Sequence, residues 1–198
     1  DIASGVITIH RTGGSSDPGT HTCNLTGPAR SSGVHVNLDL SANCDVTPVL
    51  VNGAEYTFTF DGTDAVGNAA TQIIRTVVTF DITAPSVTLS SAASNPTNTS
   101  PIPVTATFSE STTNFVVGDI TVTNGVAGSF SGSGTTYTFT VTPSAQGLVS
   151  VNVAAGVATD AAGNGNTVAT TLSRTYDSAQ PSVTLSSAAS NPTNTSPI

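Results

Sequence analysis

The residues best equipped for chemistry are the acidic ones, and Asp81, Glu110, Asp119 and Asp160 form the first group to consider. The chain has 12 acidic residues against four arginines (Arg11, Arg30, Arg75 and Arg174), no lysine, and a formal charge of −8. A surface of that sign is a poor partner for nucleic acid or an anionic membrane. A cation suits it better. Carboxylates gathered at one place repel one another unless a cation lies between them, and hard oxygen ligands at flexible spacing fit Ca²⁺ better than Mg²⁺ or Zn²⁺. A second group, Asp1, Asp61 and Asp64, repeats the pattern early in the chain, and Asp177 stands to the residues after it as Asp81 stands to those that follow. Ca²⁺ is therefore the expected cofactor at both places.

A simpler reading stays open beside this one. Thr63-Asp-Ala-Val-Gly-Asn68 and Thr159-Asp-Ala-Ala-Gly-Asn164 are good turns by themselves, with Asp closing an Asx-turn and Gly or Asn taking positive φ. An EF-hand is excluded, because twelve-residue loops counted from Asp61 and Asp160 end at Gln72 and Thr171 rather than at Glu.

Other chemistries find less support. His10, His21 and His35 match no zinc spacing, and two of them occupy alternating strand positions, as solvated surface residues do. No Gly-x-Ser-x-Gly elbow joins a strand to a helix. Glu55 and Asp61 could imitate a glycosidase pair, but a cleft is hard to build from narrow sandwiches, so no enzyme is expected. Cys23 and Cys44 flank one strand-like run and are expected to form a disulfide, which points to an oxidising compartment.

The elements that must position these residues read as strands. Residues 6–11, 34–40 and 55–60 alternate with period two, and residues 71–80 are rich in β-branched side chains. Further on, seven short strands are expected at 86–90, 103–109, 119–124, 127–131, 135–142, 148–154 and 168–176. Val104/Ala106/Phe108, Tyr137/Phe139/Val141 and Val149/Val151/Val153 would form their inward set. Short strands, frequent turn signals and no helical period give an all-β chain of immunoglobulin-like β-sandwiches. The segment 95–103 holds Pro96, Pro101 and Pro103, so it must lie at a sheet edge. Counting alternate strand directions brings Glu110, Asp119 and Asp160 to the pole where the chain enters this unit, and Asp81 reaches that pole from the preceding link.

The chain also repeats itself. Residues 85–102 return letter for letter as 181–198, and the same offset relates the two Asp-Ala-x-Gly-Asn turns. Tandem units follow: residues 1–81, whose opening strands are expected upstream of Asp1; residues 82–177, complete; and residues 178–198, the first strand of a third unit.

Phe108-Ser-Glu110, Gly118-Asp-Ile-Thr-Val-Thr-Asn-Gly125, Gly134-Thr-Thr-Tyr-Thr-Phe-Thr-Val-Thr-Pro143 and Gly156-Val-Ala-Thr-Asp-Ala-Ala-Gly-Asn164 resemble the bacterial Ig-like tandem repeats of large surface and type I-secreted adhesins. Residues 56–68 and 80–85 resemble a sister class of the same repeats. The resemblance implies a secreted, cell-surface location, a spacer or stalk role, and calcium-dependent stiffening at the junctions. Partners would be neighbouring repeats, and possible further subunits of a fibre, with no nucleic acid and no membrane insertion. Without lysine, no Lys–Asn isopeptide can staple the units, so strands, the disulfide and ions must carry any load. Two other functions remain open: a glycan- or protein-binding module in residues 1–81, and a filament subunit that polymerises head to tail by donating residues 181–198 as a strand.

Overall fold

The computed structural model describes residues 2–27, 39–188, 192 and 194. Ten strands carry the fold: β1 (Ile2–Gly14), β2 (Thr20–Asn24), β3 (Ala54–Asp64), β4 (Ile73–Thr79), β5 (Val87–Ser90), β6 (Ile102–Thr112), β7 (Ile120–Thr123), β8 (Gly125–Pro143), β9 (Gly147–Val153) and β10 (Leu172–Tyr176). A single helical turn, α1 (Leu40–Asn43), and a 3-10 turn (Val117–Asp119) interrupt them.

Strands β5 to β10 form two three-stranded antiparallel sheets, in the orders β5-β6-β8 and β10-β9-β7. Alternation along each strand sends one row of side chains between the sheets, as period-two patterning requires. The expected inward set is buried as a whole: Val104, Ala106 and Phe108 on β6, Tyr137, Phe139 and Val141 on β8, and Val149, Val151 and Val153 on β9 are all at most 4% exposed. Phe108, Phe115, Phe130 and Tyr137 close one end of this core by edge and stacking contacts. Each such apolar side chain contributes about 1.5–3 kcal/mol when fully buried. The two strands expected at 127–131 and 135–142 run together as β8. The chain folds back within it, since Thr140 Oγ1 donates to the Gly128 carbonyl (3.3 Å) across Gly132 and Gly134, both at positive φ.

The earlier residues make one four-stranded antiparallel sheet, β2-β1-β3-β4. Ile9, Ala54 and Tyr56 are its buried centre, covered by Leu40, Leu50, Val51 and Phe80. Three expectations change here. Strand β2 was not foreseen, because His21-Thr-Cys-Asn24 has no apolar alternation; it is held by pairing to β1 and by burial of Cys23. The strand expected at 34–40 lies outside the described residues as far as residue 38, and its last residue, Leu40, opens α1 instead, with Asp39 Oδ1 capping the Ser41 N–H (2.8 Å). His21 is not a solvated residue: its Nε2 bonds Asp17 Oδ2 at 2.7 Å. The expected disulfide between Cys23 and Cys44 is present, with a Cα–Cα separation of 5.1 Å. It joins β2 to the end of α1.

Candidate metal centre

Three carboxylates from three distant parts of the chain meet at one pole of the two-sheet unit. Asp81, Glu110 and Asp160 each present an oxygen within 4.8 Å of the others. Asp81 follows β4 in the link to β5, Glu110 lies near the end of β6, and Asp160 lies in the loop after β9. Glu110 reaches the pole because the pairing of β6 with β8 shifts register between Thr107 and Thr112, so the strand runs on past its partner. The shifted strand end is anchored by Thr112 Oγ1 to the Tyr137 hydroxyl (3.1 Å) and by Thr113 N–H to the Thr159 carbonyl (3.0 Å).

The Asp160 loop is shaped by its own sequence. Asn164 donates its backbone N–H to Asp160 Oδ1 and its side-chain N–H to Oδ2, both at 2.9 Å. Asn166 is 2% exposed and ties the same loop internally: it accepts from Ala158 N–H and donates to the carbonyls of Ala154 and Thr167. Sequence reasoning missed Asn166, since nothing but the reversal of the chain around it calls for a buried amide. Asn164 Nδ2 also reaches the Asp81 carbonyl (3.1 Å), and Asn52 holds the other side of the link through Ile82 N–H and the Thr83 hydroxyl, both at 2.8 Å. The link that carries Asp81 is thus fastened to the loop before β3 and to the loop after β9.

The electrostatics follow from these partners. Burial raises the Glu110 carboxyl above its ordinary value, and the charges of Asp81 and Asp160 add to the rise. Burial acts on Asp160 in the same sense, but the side-chain and backbone N–H groups of Asn164, with those of Gly163 and Ala162, outweigh it and hold Asp160 below the ordinary range. Asp81 Oδ1 accepts from Thr83 N–H at 2.8 Å. Glu110 has two anionic neighbours and, among the described residues, no hydrogen-bond donor. An all-carboxylate donor set fits a hard cation and gives a thiophilic metal nothing to hold.

The remaining expected residues lie elsewhere. Asp119 stands at the same pole, because Ile120 pairs with Val153 at the end of β9 nearest the Asp160 loop, but it is not in the group. Its Oδ2 accepts the Val116 N–H (2.8 Å) and closes the 3-10 turn. Asp64 repeats the Asp160 turn, accepting from Asn68 N–H (2.8 Å) and Nδ2 (2.7 Å). Asp61 Oδ1 accepts from Gln72 Nε2 at 2.9 Å. Neither belongs to a group of three acidic residues among the described residues, and Asp1 lies outside them. Asp177 Oδ1 accepts from Ala179 N–H, as Asp81 does from Thr83.

The two-sheet unit and its pole coincide with a known family. Residues 81–176 match the model of the bacterial Ig-like domain family. No curated protein and no solved structure matches the chain. The Ig-like domain so defined begins at Asp81 and includes Glu110 and Asp160, so the whole acidic group lies within it. Bacterial Ig-like domains are typically non-catalytic and typically belong to extracellular surface proteins. Among the described residues no helix is long and apolar enough to cross a membrane.

Proposed function

We propose that this chain is a structural spacer of an extracellular bacterial adhesin or surface fibre, built of tandem Ig-like units whose junctions are stiffened by Ca²⁺. The observation that carries the reading is the meeting of Asp81, Glu110 and Asp160 at the point where the link enters the Ig-like domain. One ligand comes from the link and two from the domain, so a cation held by all three would fix the angle between the link and the domain. Three carboxylates offer three to six of the six to eight oxygens calcium takes, leaving room for water. The Asp-Ala-x-Gly-Asn turn alone does not account for this arrangement. Asp64 has the same Asn bonds with no acidic group of three around it, whereas Asp160 has two further carboxylates beside it.

The test is calorimetric titration of the chain with CaCl₂, paired with small-angle scattering. Binding that is lost in Glu110→Gln, together with a scattering envelope that lengthens when calcium is added, is the expected result. Absence of binding heat with a chelator-insensitive envelope would refute the calcium part of the reading.

A further inference from the structure

In the Ig-like domain the connection between β5 and β6 covers the outer edge of β10. Thr97 N–H donates to the Thr175 carbonyl and Asp177 N–H donates to the Thr97 carbonyl, both at 2.9 Å. Asn95 Oδ1 accepts the Thr175 N–H at 2.8 Å, and Thr97 pairs with Tyr176 in a parallel bridge that leaves it 5% exposed. An Asn-Pro-Thr segment is thus the cap of a strand edge that would otherwise be open.

The same geometry recurs without its cap on β4. Shifting Thr175, Tyr176 and Asp177 back by the repeat offset gives Thr79, Phe80 and Asp81. Phe80 turns both its backbone groups towards β3, donating to the Ala54 carbonyl (2.9 Å) and accepting from Gly53 N–H (2.7 Å). Alternation then puts the N–H and C=O of Thr79 on the outer edge. Among the described residues β4 pairs only with β3, and all seven of its residues are exposed, including Ile73, Ile74, Val77 and Val78. A bulge at Val77, which has φ +56°, twists the edge just before this point and confines docking to its last residues.

The cap itself is present a second time. Residues 181–198 copy residues 85–102, so Asn191 and Thr193 correspond to Asn95 and Thr97. Val87 and Leu89 are 6% and 9% exposed in the domain core, whereas their copies Val183 and Leu185 are 85% and 92% exposed. We infer that the segment Asn191-Pro-Thr193 of one copy of this chain caps the β4 edge of a second copy. Thr193 would lie opposite Phe80, with its N–H on the Thr79 carbonyl, its carbonyl on the Asp81 N–H, and Asn191 Oδ1 on the Thr79 N–H. The contact is heterologous, so copies add head to tail into open chains. Arg174, which also binds the carbonyls of Ala93 and Ser91, has Val78 at its corresponding place, so the contact between copies rests on the main-chain bonds. None of this depends on calcium.

Sedimentation velocity of the 198-residue chain over a concentration series, in chelator, tests the inference alongside hydrogen exchange of the Thr79 and Asp81 amides. The expected result is a sedimentation coefficient that rises with concentration while both amides gain protection. Asn191→Ala with Thr193→Pro should weaken self-association about 30-fold, as the loss of two net hydrogen bonds implies. These substitutions lie outside both sheets, so the fold survives them. A chain that stays monomeric at every concentration overturns the inference. So does association that ignores the double substitution, or that leaves both amides unprotected.

Discussion

Glu110 and Asp160 come from the end of β6 and the loop after β9, yet their carboxylates and that of Asp81 lie within 4.8 Å of one another. Three anions so close, one without a donor, set stability against cation binding. In chelator, Glu110→Gln should relieve repulsion and stabilise the Ig-like domain by about 0.5 kcal/mol, the scale of a partly solvated charge pair, or ~2–4 °C in melting temperature. In saturating calcium the order should reverse, with the natural chain melting higher because binding adds to stability. Thermal melts of the two proteins in both buffers decide it; the same order in both would remove the case for a cation.

The same pair predicts a pH response with a definite sign. Glu110 has a raised value in the folded chain, so the fold binds more protons than the unfolded chain just above the ordinary glutamate value of 4.5. Stability from this group therefore grows as pH falls from neutrality towards that value in chelator. Asp160 is shifted downward, and its contribution is lost only at lower pH, below the ordinary aspartate value of 3.8. Melting temperatures between pH 7 and 4.5 should show a rise that Glu110→Gln abolishes. A flat profile in the natural chain would contradict the crowding of charge at this pole.

The disulfide and the aromatic core should fail separately. Cys23 and Cys44 close a span of 21 residues, for which the chain-entropy model gives about 3 kcal/mol, all of it in the sheet β2-β1-β3-β4. Phe108→Ala removes a ring that touches Phe115 and Tyr137 and should cost the Ig-like domain about 3–5 kcal/mol. Calorimetry should resolve two transitions, the first lowered by reductant and the second by Phe108→Ala. One shared transition lowered by either change would mean that the sheets fold as one cooperative body.

Where alternation was strong, the sequence already located the core. Val104, Phe139 and Val151 sit in strict period-two runs, and only one face of each strand can be buried. The convergence of Glu110 and Asp160 was also readable, because strand direction alone decides which pole a loop serves. Asp119 shows where that reasoning stops. Strand counting gives the pole but not the side-chain direction, and the 3-10 turn before β7 takes its carboxylate for the Val116 N–H. Strand β2 and Asn166 were hidden for a related reason: polar residues held by partners distant in sequence leave no periodic trace.

The last prediction concerns a polar group that the sequence placed at the surface. Asp17 is 8% exposed, and it accepts from the Tyr56 hydroxyl, from His21 Nε2 and from Gly19 N–H. The Tyr56 and His21 bonds hold its carboxyl down to about 2, against the opposing effect of burial. Tyr56 is itself pushed up by burial and by Asp17, and its oxygen accepts the Val51 N–H at 2.8 Å. One hydroxyl thus ties the β1–β2 connection, β3 and the loop before it. Tyr56→Phe removes both bonds at a site with no access to water, which should cost the first sheet about 1–3 kcal/mol at neutral pH. Because a depressed carboxyl stabilises the fold above its ordinary value and loses that contribution as pH falls through its folded value, the acid transition of this sheet should also move upward, from near 2 towards 3.8. Urea melts at pH 7 and an acid titration followed by circular dichroism measure the two effects. A variant that matches the natural chain in both would show that Tyr56 serves only as a packed ring.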